Sequence, residues 1–118
     1  MKLFRFDPEV GKNIDAFGSS GFTISKIIRL FDQADVKIAY LGKKGLVGYH
    51  QTTKDQVFAV VYGEGWVRGE APERHPITAG QAAFWVAGEW HESGSETGMT
   101  VILIEGENID PTKTMPPL

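Results

Sequence analysis

Apolar residues along this chain fall into short runs, and glycines or prolines separate most of them. Seven runs have the length and the β-branched or aromatic content of strands, namely 22–31, 36–42, 45–52, 56–70, 75–78, 81–87 and 97–106. Many short strands with glycine turns between them are typical of an all-β sandwich or barrel. The pattern therefore predicts an all-β protein.

Several segments carry more specific expectations. Segment 22–31 is the only one that could also form a helix, but its three isoleucines favour a strand. Segment 56–70 contains Tyr62-Gly63-Glu64-Gly65, which predicts a hairpin turn between two strands. Segment 97–106 is the most apolar run, so we expect a central strand. The tail, 110–118, has three prolines and is expected to be extended or frayed.

Two shorter runs, 57–61 and 101–104, are apolar at every position. Successive side chains of a strand point to opposite faces, so such runs predict strands that are covered on both faces. We expect one face of each to line an interior.

Composition limits the protein to one small domain, residues 1–118. A chain of 118 residues with no cysteine cannot form disulfides or thiolate metal sites, although it is long enough to bury a core without them. The net charge is −3 and the 12 basic residues are scattered, which argues against nucleic-acid binding. No run reaches the ~20 apolar residues of a membrane span, and the first residues lack the apolar core of a signal peptide. We therefore expect a cytoplasmic protein with no nucleic-acid or membrane partner.

The most specific pattern surrounds the last histidine. Gly80, Gly88 and His91 are spaced as in the second motif of the cupin superfamily, which is Gly, five residues, Pro-X-Gly, two residues, His, three residues, Asn. In this chain Val86 stands at the proline and Ser95 at the asparagine. The stretch resembles that motif with two replacements.

An upstream segment resembles the first cupin motif. His50 stands at its first histidine, Thr52 at its second, Gln56 at its glutamate and Gly63 at its terminal glycine. The resemblance covers about residues 45–95. It implies a small antiparallel β-barrel of the jelly-roll type, also called a double-stranded β-helix, whose interior holds a metal ion or a small molecule.

The resemblance also implies a metal site composed of His50, Gln56 and His91. Imidazole ligands suit iron, manganese, nickel or zinc, depending on their companions. Thr52 is a poor metal ligand and Gln56 is neutral, so the charge of a divalent ion stays uncompensated in a low-dielectric interior. We expect weak binding unless an anionic substrate or hydroxide completes the site. The expected pocket-lining residues are Thr52, Phe58, Val60 and Trp85.

Three functions stay open at this point. The first is a metal-dependent enzyme, such as an oxygenase or isomerase of a small oxygenated molecule, with no catalytic residue assigned. The second is a non-catalytic, metal-free module that binds or senses a small ligand in an aromatic-rich pocket. The third is an interaction role through a homodimer, which is compatible with either. Because exposed sheet edges must be paired or blunted, we expect the dimer contact at residues 2–6 and 22–31.

Overall fold

The computed structural model describes residues 1–118 and consists of ten β-strands and three single-turn 3₁₀ helices. The strands are β1 Lys2–Arg5, β2 Lys12–Asn13, β3 Thr23–Ile24, β4 Ala34–Leu41, β5 Gly45–Gln51, β6 Asp55–Arg68, β7 His75–Thr78, β8 Gln81–Trp85, β9 Trp90–Ser95 and β10 Met99–Gly106. The 3₁₀ helices are Pro8–Val10, Ala16–Gly18 and Pro111–Lys113. No helix has the length and hydropathy that crossing a bilayer requires. The all-β prediction is confirmed.

Two antiparallel sheets share the long strand β6. The first sheet has the order β1-β8-β6-β10-β4, and the second is built from β7, the C-terminal half of β6, β9 and β5. β6 passes from one sheet to the other at a bulge. Tyr62 pairs with Thr100 and Val60 with Val101, which leaves Val61 as an extra residue. Since a bulge bends its strand, this residue lets one strand serve both walls of the barrel.

β6 runs without interruption through Asp55–Arg68, so the predicted hairpin turn at Tyr62-Gly63-Glu64-Gly65 is wrong. Gly63 has a φ of +80°, and a Cβ there would lie 2.3 Å from the carbonyl oxygen of Gly98. A Cβ on Gly65 would lie 2.2 Å from a carbonyl oxygen of β9. Both glycines allow neighbouring strands to approach closely. In the sequence, two glycines needed for this purpose cannot be distinguished from two glycines that form a turn.

Apolar side chains of both sheets fill the interior between them. These residues, each at most 3% exposed, are Phe58, Val60, Val67, Ile77, Ala83, Trp85, Met99 and Val101. A second cluster covers the outer face of the first sheet and contains Phe4, Val57, Ala59, Ala82, Phe84, Ile104, Ile109 and Met115. Residues 57–60 and 101–104 alternate between the two clusters, so burial on both faces is confirmed there.

Strands β4, β5, β7, β8 and β10 occupy the runs 36–42, 45–52, 75–78, 81–87 and 97–106 that the pattern predicted. β10 pairs with β6 on one side and β4 on the other, which confirms its central position. The strand predicted over 22–31 is largely wrong, because only Thr23–Ile24 is extended and paired. The adjacent Ile27 and Ile28 both pack against the outer cluster, so these isoleucines cover the sheet instead of joining it.

The C-terminal tail is docked against β1 and is not frayed. Met115 is 1% exposed, and the backbone N–H of Arg5 donates to the carbonyl of Pro116 at 3.0 Å. The N–H of Leu118 donates to the carbonyl of Leu3 at 3.0 Å. The tail therefore closes the free edge of β1, which removes the edge at residues 2–6 that the sequence suggested for dimer contact.

Candidate functional site

His50 and His91 come together on the second sheet. They lie directly opposite each other on the antiparallel strands β5 and β9, so their side chains project from the same face. Their Nε2 atoms are 3.2 Å apart, and the ring centroids are separated by 4.5 Å with the planes at 55°. Two residues that are 41 positions apart in the sequence therefore form one imidazole pair.

Hydrogen bonds assign the tautomers of this pair. The Nδ1 atom of His50 is 2.6 Å from the carbonyl oxygen of Gly48, and a carbonyl can only accept. Nδ1 of His50 therefore carries the proton, which leaves a lone pair on Nε2 of the neutral ring. The donor in the contact between the two rings must then be the Nε2–H of His91. In this arrangement the Nε2–H of His91 and the Nε2 lone pair of His50 satisfy each other.

His91 is buried and His50 is exposed. The His91 ring is 5% exposed and meets Trp85 edge-on, with centroids 4.4 Å apart and planes at 71°. Burial lowers the pKa of His91 from 6.5 to about 4; the nearby His50 adds to this lowering, and the carboxylate of Glu89 opposes it. His91 is therefore neutral at pH 7, which is the state in which imidazole binds metals or accepts hydrogen bonds.

Trp85 supplies an unpaired donor beside the histidines. Its side chain is fully buried, and its indole N–H is the one buried side-chain polar atom without a hydrogen-bond partner. The ring contacts Phe58 edge-on, with centroids 5.8 Å apart. Gly69 lies near the indole nitrogen, and a Cβ on Gly69 would be about 4 Å from it, so the missing side chain leaves space there. An unsatisfied buried donor costs roughly 1–3 kcal/mol, so an acceptor that reached this N–H would be favoured.

The amide group of Gln56 bonds to Glu105 and not to a histidine. Its Nε2 donates to the carboxylate of Glu105 at 3.2 Å, and the same carboxylate lies 3.8 Å from the Nζ of Lys37. The amide oxygen of Gln56 stays uncommitted, while none of its hydrogen bonds reaches a histidine. No group of three His, Cys, Asp or Glu side chains is arranged to hold a metal. The structure thus brings together two of the three expected ligands, and Gln56 as the third stays a prediction.

The turn before His91 is anchored by Thr52, which is 6% exposed. Its hydroxyl donates to the carbonyls of Val86 at 3.0 Å and Glu89 at 3.1 Å. Its backbone N–H also donates to Glu89, and the side chain of Gln51 donates to the carbonyl of Gly88 at 2.9 Å. Thr52 is therefore occupied in positioning the turn that delivers His91, whereas its predicted role in lining the pocket stays a prediction.

Both replacements in the second motif have local partners. The backbone N–H of Val86, which proline would lack, donates to the carboxylate of Glu89 at 3.1 Å. The hydroxyl of Ser95 donates to the carbonyl of Glu64 at 2.6 Å and accepts from the N–H of Gly98 at 2.8 Å. The sequence signal for the first contact is the position of Glu89 three residues after Val86, the spacing at which a glutamate caps a backbone N–H.

Glu92 lies on the face of β9 opposite to His91, as strand alternation predicts. Its carboxylate accepts from the guanidinium of Arg68 at 2.8 Å, and Arg68 stacks over the ring of Tyr49 at 4.3 Å. Tyr49 also contacts Trp90, with centroids 5.3 Å apart. These side chains form an outer layer on the second sheet, separate from the histidine pair.

Comparisons with known proteins identify the fold. No family model and no curated protein matches the sequence. Among solved structures, the chain is similar to a cupin superfamily protein from Desulfitobacterium hafniense, with a TM-score of 0.60, 10% identity, and coverage of 76% of this chain and 82% of that chain. An RmlC-like cupin from Shewanella frigidimarina has a TM-score of 0.58 and 24% identity over 61% of this chain and 64% of that chain. A predicted oxalate decarboxylase from Thermotoga maritima has a TM-score of 0.52 and 23% identity over 66% of this chain and 65% of that chain.

These similarities show that the chain has the cupin fold, an antiparallel all-β architecture. The resemblance read from the two motifs is therefore confirmed at the level of the fold. His50 and His91, the histidines that carried the resemblance, are the pair that the fold brings together.

Proposed function

We propose that the protein binds a divalent transition-metal ion through Nε2 of His50 and Nε2 of His91, and that this ion receives a small anionic molecule inside the barrel. The single observation that carries the proposal is the convergence of the two Nε2 atoms at 3.2 Å. Iron, manganese, nickel and zinc all accept such a pair of imidazoles.

The separation of the two nitrogens matches that of two ligands on one ion. Imidazole nitrogens bound at about 2.1 Å lie about 3.0 Å apart when they subtend a right angle and about 3.4 Å apart in a tetrahedral site. The observed 3.2 Å lies between these values. The contact from His50 Nδ1 to the Gly48 carbonyl adds support, because ligand histidines usually donate their other N–H to such a partner.

Charge at the site favours an anionic ligand. A histidine binds metal as neutral imidazole, and the uncommitted oxygen of Gln56, the candidate third ligand, is neutral as well. A bound divalent ion would act as a Lewis acid that draws and polarises an anionic oxygen. The ring of Trp85 contacts His91 and its N–H has no partner, so it is a donor available to a bound molecule. Metal binding requires His91 to carry its proton on Nδ1 instead of Nε2. The similarity to a predicted oxalate decarboxylase makes small carboxylates the first compounds to test.

A metal-free function is the second candidate. The direct hydrogen bond between the two rings and the unpaired N–H of Trp85 form a polar site in their own right. In that case the barrel binds a small oxygenated molecule through the histidines and Trp85, without catalysis.

Metal content separates the two candidates. We would measure iron, manganese, nickel and zinc by mass spectrometry in untagged protein, for the wild type, His50→Ala and His91→Ala, with His75→Ala as the matched control. His75 is exposed and lies on β7, away from the pair. The proposal predicts bound metal in the wild type and the control, and loss of metal in both other variants. Metal-free wild type after loading with each ion would refute it and favour the metal-free candidate.

A further inference from the structure

A cleft of about 630 Å³ opens on the surface between two segments that are distant in the sequence. One wall is segment 26–31, which follows β3, and the other is segment 108–114, which follows β10. Both walls lie outside the first sheet, where Ile27 and Ile28 pack against the outer cluster. The histidine pair lies on the second sheet. The cleft is therefore separate from the candidate metal site, and its volume is in the range of small-molecule pockets.

Contacts between the two segments hold the walls of the cleft in place. The hydroxyl of Thr114 donates to the carbonyl of Ile27 on the opposite wall. At one end, the side-chain amide of Asn108 donates to the carboxylate of Asp32 at 3.3 Å. Pro111, in the turn between Asn108 and Thr114, is fully buried. The cleft is thus formed before a ligand arrives, which lowers the cost of ordering on binding.

Three cations line the cleft, and none of them has an ion-pair partner. They are Lys26, Arg29 and Lys113. The five salt bridges of the protein all involve other basic groups. In a chain with a net charge of −3, three unpaired cations around one cleft are a local concentration of positive charge, and a concave site focuses the field of such charges.

The one carboxylate that lines the cleft is bonded to neutral groups. Asp110 accepts from the hydroxyl of Thr112 and, at 3.0 Å, from its backbone N–H. These hydrogen bonds, above all the one from the hydroxyl, hold the pKa of Asp110 below its usual range. Asp32 is likewise bonded to the neutral amide of Asn108. The three cations therefore keep their N–H donors available to an anion.

The cleft also has an apolar side. Phe31 lines it and is 82% exposed, and the partly buried Ile28 lies on the same wall. The guanidinium of Arg29 lies 5.7 Å from the centroid of the Phe31 ring, so a positive charge and an exposed aromatic ring are neighbours. A molecule that carries both an anionic group and an apolar ring would complement both features.

We infer that the cleft binds a small phosphate monoester whose organic part is a planar ring. Three cations match the double negative charge of a phosphate monoester better than the single charge of a carboxylate. Arg29 can bind two phosphate oxygens at once, while the lysines act as point charges. The ring of the ligand leaves water when it packs against Phe31 and Ile28. None of these contacts involves the histidine pair.

Titration of the metal-free protein with phenyl phosphate, followed by amide NMR in a buffer without phosphate, tests the inference. We expect saturable shifts of the amides in 26–31 and 108–114, with a Kd below about 1 mM. Arg29→Gln and Lys113→Gln should each weaken binding about tenfold, because each removes one charge-assisted contact. Lys43→Gln is the matched control and should leave the Kd unchanged, since Lys43 is exposed, unpaired and located just beyond the far end of β4.

Two comparisons test the chemistry of the ligand. Phe31→Ala should weaken the binding of phenyl phosphate at least about fivefold and leave that of inorganic phosphate unchanged, because only the ring contacts Phe31. Benzoate, with a single charge, should bind at least about tenfold more weakly than phenyl phosphate. All of the substituted side chains are exposed, so each variant is expected to fold.

The absence of saturable shifts up to about 10 mM phenyl phosphate would overturn the inference. So would a Kd that neither Arg29→Gln nor Lys113→Gln changes, or shifts confined to the amides around His50 and His91. Equal binding of benzoate and phenyl phosphate would overturn the assignment to a phosphate monoester. Because the protein is titrated without metal, none of these outcomes depends on whether the histidine pair binds an ion.

Discussion

Burial of His91 should make the metal-free protein less stable in acid. The pKa of this side chain is about 4 in the folded protein, against 6.5 when it is exposed. Because the folded pKa is the lower one, the unfolded chain takes up the proton first as the pH falls. The contribution of neutral His91 to stability is therefore complete above pH 6.5 and is lost progressively as the pH falls toward 4.

The size of the effect follows from the shift. One pKa unit corresponds to about 1.4 kcal/mol, so the complete shift is equivalent to roughly 3 kcal/mol. At pH 4.5, where the folded ring is still mostly neutral and the unfolded ring is charged, the loss is roughly 2–3 kcal/mol relative to pH 8. This is a large fraction of the 5–15 kcal/mol (roughly) by which typical domains are stable.

Urea denaturation at pH 8 and pH 4.5, in the presence of a chelator, measures this term. The free energy of unfolding should fall by roughly 2–3 kcal/mol more in the wild type than in His91→Gln, which cannot titrate at this position. The carboxylates titrate in both proteins, so their contribution cancels when the loss in His91→Gln is subtracted from the loss in the wild type. The exposed His75→Gln variant should behave like the wild type. Equal losses in the wild type and His91→Gln would refute the argument that burial holds His91 neutral.

Two further predictions concern packing. Gly65→Ala should destabilise the protein by more than about 2 kcal/mol in urea denaturation, since a Cβ would lie 2.2 Å from the backbone oxygen of Gly94. Gly48→Ala, where a Cβ meets nothing within 4 Å, should change stability by less than about 0.5 kcal/mol, and equal effects of the two would contradict the close approach of β6 and β9. Met115→Ala should cost about 2–4 kcal/mol because its side chain is 1% exposed, whereas the half-exposed Leu118→Ala should cost little; a neutral Met115→Ala would mean that the tail is not docked.

Local patterns predicted most of the long strands, but they missed β1 and β9 and did not show how the strands connect through space. The all-β class, the central β10 and the two-sided burial of 57–60 follow from alternation and apolar content. The error at residues 62–65 arises because a glycine needed for a turn and a glycine needed for close approach look alike. Only the bulge at Val61, which depends on pairing with β10, distinguishes the two.

The candidate site was predictable to the extent that the two cupin motifs fix strand register. His50 and His91 meet because their strands pair, and the motif spacing places them on paired strands. The role of Thr52 in anchoring the turn and the pairing of Gln56 with Glu105 depend on contacts between distant segments. Spacing along the chain does not encode those contacts, whereas the cap from Glu89 to Val86 is local.

Segment 22–31 shows a third kind of limit. Its isoleucines have high β-propensity, but that propensity measures how well a side chain packs on a half-buried surface. Ile27 and Ile28 satisfy the same preference by covering the outer cluster from outside the sheet. Phe22, Ile24, Leu30 and Phe31 of the same segment stay exposed, so its apolar content predicted neither the backbone nor general burial.

Anomalous diffraction from crystals soaked with nickel or zinc would test the central claim most directly. The account predicts a peak between the two rings, about 2.1 Å from Nε2 of His50 and from Nε2 of His91. It also predicts that the contact between His50 Nδ1 and the Gly48 carbonyl is retained. Crystals in which the two rings still contact each other directly, with anomalous peaks only at surface side chains such as His75, would contradict it.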